Sequence, residues 1–351
     1  MKIKTSLLKL ALSHLKPLFG GRANSMIYAS NVKLETKRGN LELTATNLDE
    51  WAVEWPLCEG DFGPVCVNFN HLNCCLGGEE VEITMDGSKV KITYGEAVRR
   101  LSCVDADTFP ALPEVDTRTA SGITMLSLQT GIIRTKFATM DPKGTVPVLE
   151  NIHVFADAGK LTIEAANGPC CSWYFDEVKK SEKTDILIPR AFADSVESAT
   201  GRPNGEMSIA DASLTISHDE GFYRCKLAEG KFTNLKPVWD TLGDEIGEVE
   251  SAKLLPILGS IMSLCPDGKY PPATLRFSPI GIAIESIGDT DVKDLVEGSF
   301  SEFTAHINCR VVIPAINNLK SEKVLINQAG KSLVFQSGKC AIFCGGMKGP
   351  E

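Results

Sequence analysis

Twelve cysteines and five histidines are the residues of this 351-residue chain best suited to chemistry, and their spacing offers little of it. A tetrahedral metal site wants two half-sites of paired thiolates or imidazoles. Cys74 and Cys75 are adjacent, as are Cys170 and Cys171, so the members of each pair point to different faces of any helix or strand that carries them. Cys340 and Cys344 are the one other close spacing, with no second pair and no histidine beside them. A chain of this length can build its cores without covalent staples. The thiols therefore read as reduced core fillers of a cytosolic protein, with neither a metal nor a cofactor implied.

Acid–base and nucleophilic chemistry fare no better. His14, His71, His153, His218 and His306 fall in different elements. His153 sits in the alternating run NIHVFA, where it reads as a partly exposed strand residue and not as a general base. Asp49-Glu50, Glu79-Glu80 and Asp244-Glu245 read as turns between elements, where such runs solvate a loop and are not paired as acid and base. Glycine-rich phosphate loops, the Gly-x-Ser-x-Gly elbow and His-Glu-x-x-His are all missing. No catalytic residue is assigned, and the chain does not read as an enzyme.

Composition bounds the class: 43% hydrophobic and 23% charged residues, a formal charge of −9, and no apolar run long enough to span a bilayer. The start, MKIKTSLLKLALSHLKPLF, imitates a secretory leader, but Lys9, His14 and Lys16 interrupt it. Leu8, Leu12 and Leu15 follow helical spacing and predict an amphipathic helix.

What must position these residues repeats three times. Alternating strands open at Gly39, Gly159 and Gly281, and their first apolar anchors, Leu41, Leu161 and Ile282, stand 120 and 121 positions apart. Each is followed by a β-rich run leading into a short helix (66–76, 187–199, 307–319) and then by a strand pair (80–93, 206–217, 323–336). Each is preceded by a longer helix, predicted over 6–18, 124–140 and 251–264. Units this long close their own cores, so they are domains and not solenoid repeats. Two helices among period-2 strands give an α+β domain of helices packed on antiparallel sheet. Linkers rich in Pro, Gly and acidic residues at 113–119 and 239–247 place three domains at 1–117, 118–243 and 244–351.

Several segments in order resemble the bacterial DNA polymerase III β subunit, the sliding clamp. They are LELTATNLDEWAVEWPL (41–57), VCVNFNHL (65–72), EEVEITMDGSKVKIT (79–93) and DTFPALPEV (107–115) in the first third. PVLENIHVF (147–155), KLTIEAANG (160–168), ILIPRAFADSV (186–196) and LAEGKFTNLKPV (227–238) follow in the second. The last third agrees in pattern more than in identity. The resemblance implies three tandem domains of the DNA-clamp fold forming half of a ring, closed as a head-to-tail homodimer around double-stranded DNA without regard to sequence. It implies a cytoplasmic processivity factor of DNA replication that tethers DNA polymerase, clamp loader and repair proteins, with no membrane role. A divergent paralogue that binds peptides as an adaptor or regulator, without stable encirclement, is the alternative.

The same resemblance supplies site residues. Cations on or beside the helices expected to line the hole are Lys9, Lys16, Arg134, Lys136, Arg190, Lys253 and Arg310, with Arg22 and Lys143 on loops. The partner-peptide pocket falls on Leu149, Asn167, Gly168, Pro169, Cys170, Cys171, Thr233, Pro237, Val238 and Phe343, with Gly345, Gly346 and Met347 adjoining. Here the chain departs from the family, which usually carries His-Arg-Leu after the glycine, Pro near Thr233, Arg near Pro237 and a Met-Pro-Met-Arg type ending. The implied dimer joint brings Phe109 and Leu112 of one copy to Leu264 and Cys265 of the other.

Overall fold

A computed structural model describes residues 1–19, 27–113, 122–141, 146–178, 183–198, 205–210, 212–265, 271–286 and 292–347. Seven α-helices and three antiparallel sheets make up the described residues, an α+β fold. The element order recurs as the sequence periodicity requires. The first pass runs β1 (Lys2–Lys4), α1 (Thr5–Leu15), β2 (Asn31–Lys37), β3 (Asn40–Thr46), β4 (Glu50–Glu54), β5 (Val65–Asn68), α2 (Phe69–Cys74), β6 (Glu80–Asp86), β7 (Lys89–Tyr94) and β8 (Ala97–Asp105). The second runs α3 (Met125–Thr135), β9 (Asn151–Asp157), β10 (Lys160–Ala166), β11 (Cys170–Glu177), β12 (Thr184–Pro189), α4 (Arg190–Ser198), β13 (Glu206–Ala210), β14 (Ser213–His218), β15 (Gly221–Lys226) and the short α5 (Lys236–Trp239). The third runs β16 (Leu242–Glu250), α6 (Ser251–Leu264), β17 (Pro272–Ser278), β18 (Gly281–Ser286), β19 (Lys293–Glu297), β20 (Phe303–Asn308), α7 (Cys309–Leu319), β21 (Lys323–Ala329), β22 (Ser332–Ser337) and β23 (Cys340–Cys344).

Strand pairing groups these elements into two compact units. Met1–Gln129 with Ala191–Leu227 forms one, and Thr130–Arg190 with Ala228–Glu351 the other. The first holds an eleven-stranded sheet ordered β1-β6-β7-β8-β5-β2-β3-β4-β15-β14-β13. The second holds an eight-stranded sheet, β12-β9-β10-β11-β23-β22-β21-β16, and a four-stranded one, β19-β18-β17-β20. Two ladders therefore join strands of successive repeats. β15, last of the second repeat, pairs with β4 of the first, and β23, last of the third, pairs with β11 of the second.

Local chemistry sets the element ends. Leu8, Leu12 and Leu15 are fully buried on one face of α1, as their spacing predicts. The helix stops earlier than expected, at Leu15, and a 3-10 turn over Lys16–Phe19 follows, because Pro17 cannot continue the ladder. Similarly α3 closes at Thr135 and passes into a 3-10 turn, Lys136–Ala138. Asn68 and Asn308 cap α2 and α7, their side chains accepting from the backbone of His71 and Arg310. The segment expected as a linker over 239–247 is mostly strand: β16 pairs with β21, with register shifts between Leu242 and Gly247 that its glycines and acidic residues disguise in sequence.

The β4–β15 joint of the first unit buries two carboxylates. Glu50 and Glu54 are 5% and 1% exposed on β4. Ser195 of α4 donates to Glu50 at 3.4 Å, Tyr223 of β15 donates to Glu54, and Nδ1 of His14 lies 3.4 Å from Glu54. Gly221 opens β15 at φ +153°, and a Cβ there would stand 2.0 Å from the Val53 carbonyl oxygen, so the close approach of the strands requires glycine. Burial pushes the Glu50 carboxyl up to about 7, against the opposing hydrogen bond from Ser195, with the charges of Asp49 and Asp194 adding to the rise. A folded-state value above the unfolded one means that stability is fully present below the ordinary value of 4.5 and is lost as pH rises through about 7. Chemical denaturation should find the protein more stable at pH 5 than at pH 8 by up to about 3 kcal/mol from this group, and Glu50→Gln should remove that part of the slope. An unchanged slope in the variant would show that Glu50 ionises freely in the fold.

Candidate partner-binding groove

The second unit carries the residues expected to form a peptide pocket, and the β10–β11 hairpin starts its construction. Asn167 turns the chain: its side-chain oxygen accepts from the Cys170 N–H at 3.1 Å, and its own N–H donates to the Cys170 carbonyl at 3.0 Å. Gly168 takes φ +94° at the apex, which a side chain would resist. β11 then alternates. Cys170, Ser172 and Tyr174 take one face; Gly131 of α3 lies close to Tyr174, and Ser172 donates to the Arg134 carbonyl. Cys171, Trp173 and Phe175 take the other face, which carries an apolar cluster.

That face is apolar. Leu149, Cys171, Trp173, Phe232, Leu235, Val334 and Ala341 are buried in one cluster, and Val238, Trp239, Phe343, Phe175 and Met140 pack on it half-buried. Leu149 is held by a 3-10 turn, Pro147–Glu150, whose N-terminal proline fixes its entry, and the Leu149 carbonyl accepts from the Met140 N–H at 2.8 Å. α5 supplies Val238 and Trp239, and Trp239 stacks edge-on against Trp173 at 5.4 Å and Phe175 at 5.1 Å. Thr233 and Pro237 stand exposed beside it. The carboxy-terminal strand is drawn in by Gly345 N–H to the Pro169 carbonyl at 2.7 Å, and Met347 N–H reaches the His306 carbonyl at 2.7 Å.

The structure thus brings Leu149, Cys171, Val238 and Phe343 together in one cluster, while Asn167, Gly168 and Pro169 form the turn that leads into β11. Cys170 turns to the opposite face, away from the groove. The aromatic residues Trp173, Phe175, Phe232 and Trp239 escaped sequence reasoning, although the alternation in CCSWYFDE puts 171, 173 and 175 on one side. Burial pushes the Cys171 thiol up to about 12, with the charges of Cys170 and Glu164 adding to it, so this thiol is neutral.

Other expected sites distribute differently. In the first unit Lys9 is exposed on α1, while Arg22 lies outside the described residues, as does Lys143. In the second, Arg134 donates to the Asn318 carbonyl at 2.6 Å and so closes the end of α7. Lys253 pairs with Glu250 at 2.9 Å and Arg190 with Asp141 at 3.4 Å; Lys136 is half-buried, and Arg310 is exposed at the start of α7. Phe109 is spent on its own core, edge-on to Trp51 at 6.4 Å, whereas Leu112 is 40% exposed. Leu264 is 58% exposed at the end of α6, with Cys265 half-buried after it.

His153 is the partly exposed strand residue that its sequence predicts, but both of its ring nitrogens are engaged. Its Nδ1 meets Glu164 at 2.8 Å and its Nε2 meets Asp185 at 2.9 Å, a carboxylate from each neighbouring strand. Its ring stacks on Phe232, a buried member of the same apolar cluster, at 4.8 Å. Burial alone would lower its pKa, but the two hydrogen-bonded carboxylates outweigh that and raise it above 6.5. The pair stabilisation is fully present below the unfolded value and is lost as pH rises through the raised folded one. His153→Gln should cost about 2 kcal/mol at pH 6 and markedly less at pH 9, measured by denaturant unfolding. An equal loss at both values would mean that the imidazolium contributes nothing.

No protein-family profile matches the chain, and no curated protein matches it in sequence. Solved structures do match in three dimensions. A DnaN sliding clamp (DNA polymerase III subunit beta) from Pseudomonas aeruginosa, crystallised with griselimycin, is similar over 99% of both chains at TM-score 0.87 and 18% identity. The DNA polymerase III beta subunit of Thermotoga maritima gives TM-score 0.87 at 15% identity over 99% of both chains. The DNA polymerase sliding clamp of Bacillus subtilis gives 0.84 at 15% identity over the same shares. From its first strand to its last, this chain has the fold of the bacterial β sliding clamps.

Proposed function

We propose that the chain is a divergent β sliding clamp, a non-enzymatic processivity factor of DNA replication that works in the cytoplasm. Two copies would close head to tail around duplex DNA, with 1–117, 118–243 and 244–351 as the three domains of each half ring. Polymerase, clamp loader and repair proteins would be held by short peptide segments in the apolar groove.

The observation that carries this reading is the recurring strand joint. β4 and β11, third strands of the first sheet half in their repeats, each take the last strand of the following repeat. β19 is the corresponding strand of the third repeat and ends its sheet, with β18 as its one ladder partner among the described residues. β8 is the last strand of the first repeat; it pairs with β7 over Ala97–Ser102 and meets β5 only beyond them, at Cys103–Asp105. A second copy supplies what each edge lacks, and heterologous contacts of this kind close a ring when the rotation permits. Chemistry agrees: β8 presents Arg99 and Arg100 with Val98 38% exposed, and β19 presents Asp294 and Glu297 with Leu295 48% exposed.

The adaptor alternative draws support from the engaged cations, since Arg134, Arg190 and Lys253 each already hold a carbonyl or carboxylate. Mass and topology separate the two readings. Light scattering should give twice the chain mass of 37.9 kDa, and Arg99→Glu with Leu295→Asp should weaken association at least about tenfold. Once on nicked circular DNA, the protein should stay at high salt and leave when the circle is cut. A wild type that is monomeric at micromolar concentration, or held equally by linear DNA, would end the ring reading.

The groove reading is tested by titration. Val238 and Phe343 persist as apolar anchors, while the charged and imidazole donors usual in the family are replaced by Pro169, Cys170 and Cys171. A family-type pentapeptide should therefore bind more weakly than a peptide from the cognate polymerase, by roughly 1 kcal/mol for each unpaired polar group. Trp239 fluorescence follows the titration, and Val238→Asp should weaken the cognate peptide at least about tenfold. Equal affinity for both peptides, or indifference to the substitution, would refute it.

A further inference from the structure

We propose that Cys170 and Cys344 form a modification site, a cross-strand dithiol that a peroxide closes into a disulfide beneath the groove. The two residues stand directly opposite each other on β11 and β23. In the same ladder the Gly345 N–H donates to the Pro169 carbonyl at 2.7 Å, and the Phe175 N–H donates to the Lys339 carbonyl at 2.8 Å. Those two residue pairs are of the hydrogen-bonded kind, and the kind alternates along an antiparallel ladder. One step in from Pro169 and Gly345, the pair Cys170 and Cys344 is therefore non-hydrogen-bonded, with Cα atoms about 4.5 Å apart and side chains at their closest. A disulfide spans Cα separations of roughly 4.4–6.8 Å, so the bond needs no rearrangement of the strands. Both thiols are buried, 2% and 1% exposed. No other two cysteines among the described residues share a ladder position.

The resting state is the dithiol. The hydrogen bond with Cys344, and then burial, hold the Cys170 thiol well above its ordinary value, which keeps it protonated and slow toward electrophiles. Opening of the joint lets one thiolate attack a peroxide oxygen; the O–O bond breaks, and hydroxide leaves with the thiol's proton as water. The sulfenic acid so formed faces the other thiol, whose sulfur displaces its hydroxyl as the S–S bond forms and a second water departs. Two sulfurs together give up two electrons, and the peroxide takes them. A sulfenic acid with a resolving thiol in contact is captured before further oxidation. The product ties β11 to β23 on the face opposite Cys171 and Phe343, fixing the strands that carry part of the groove.

Hydrogen peroxide on the full chain, followed by alkylation and non-reducing peptide mapping, tests this. A linked peptide containing Cys170 and Cys344, an intact mass lower by two hydrogens, and a melting temperature raised by several degrees and restored by dithiothreitol are expected. Cys344→Ala should lose the peroxide-dependent rise. Should that variant fail to fold, mapping of the wild type decides alone. A Cys170–Cys171 bond, both thiols still free when exposed Cys74 has been oxidised, or a melting temperature that does not rise would each overturn the proposal.

Discussion

Everything else in this molecule leans on one interaction, the backbone ladder between the last strand of a repeat and the third strand of the repeat before it. A four-stranded half-sheet leaves a row of unpaired N–H and C=O groups, which is costly to bury and hazardous to expose. Pairing β15 to β4 and β23 to β11 satisfies those groups and extends the sheets across the repeat boundaries. The first of these ladders places β15, with β14 and β13, in the same compact unit as the first repeat.

The same ladder position is filled by different chemistry in the two units. Cys225 stands opposite Glu50 in the first joint, and Cys344 opposite Cys170 in the second. In the first, burial and then the nearby Glu50 carboxylate drive the Cys225 thiol well above its ordinary range, while burial keeps the Glu50 carboxyl itself protonated up to about 7. In the second, two buried thiols face each other. Burial disfavours charge at this position in both joints, and which side chains fill it decides whether the joint responds to protons or to oxidants.

Much of the fold was legible because periodicity survives substitution. The 120-residue recurrence, the apolar face of α1 and both helices of each repeat follow from spacing alone. What could not be read are partnerships between residues distant in sequence. Nothing near His153 reveals Glu164 and Asp185, since the register of three strands brings them there. Arg134 looks like a free cation until α7 arrives with an unpaired carbonyl at Asn318. β16 was hidden because its glycines and carboxylates resemble a linker, and only the bulged pairing to β21 makes them a strand. The groove was half legible: its aliphatic anchors align with a pattern, but its aromatic wall depends on α5 folding Trp239 back over Trp173 and Phe175.

Charge follows the same logic. For the proposed ring, a net charge of −9 means that DNA would be held by local cations and not by the bulk charge. Helix α6 offers Lys253, already turned to Glu250, and α4 sets Arg190 against Asp141. Exposed ion pairs of this kind are weak, worth at most about 1 kcal/mol, and a phosphate can compete for them. Arg134 is different, because releasing it would leave a helix-end carbonyl without its donor. Attraction to a polyanion would then be shallow and spread over exchangeable lysines and arginines, with no fixed cradle for any one phosphate. For the proposed ring that is a physical advantage: deep electrostatic wells would hold it at one register, and a tether that relies on closure for retention can move along the duplex.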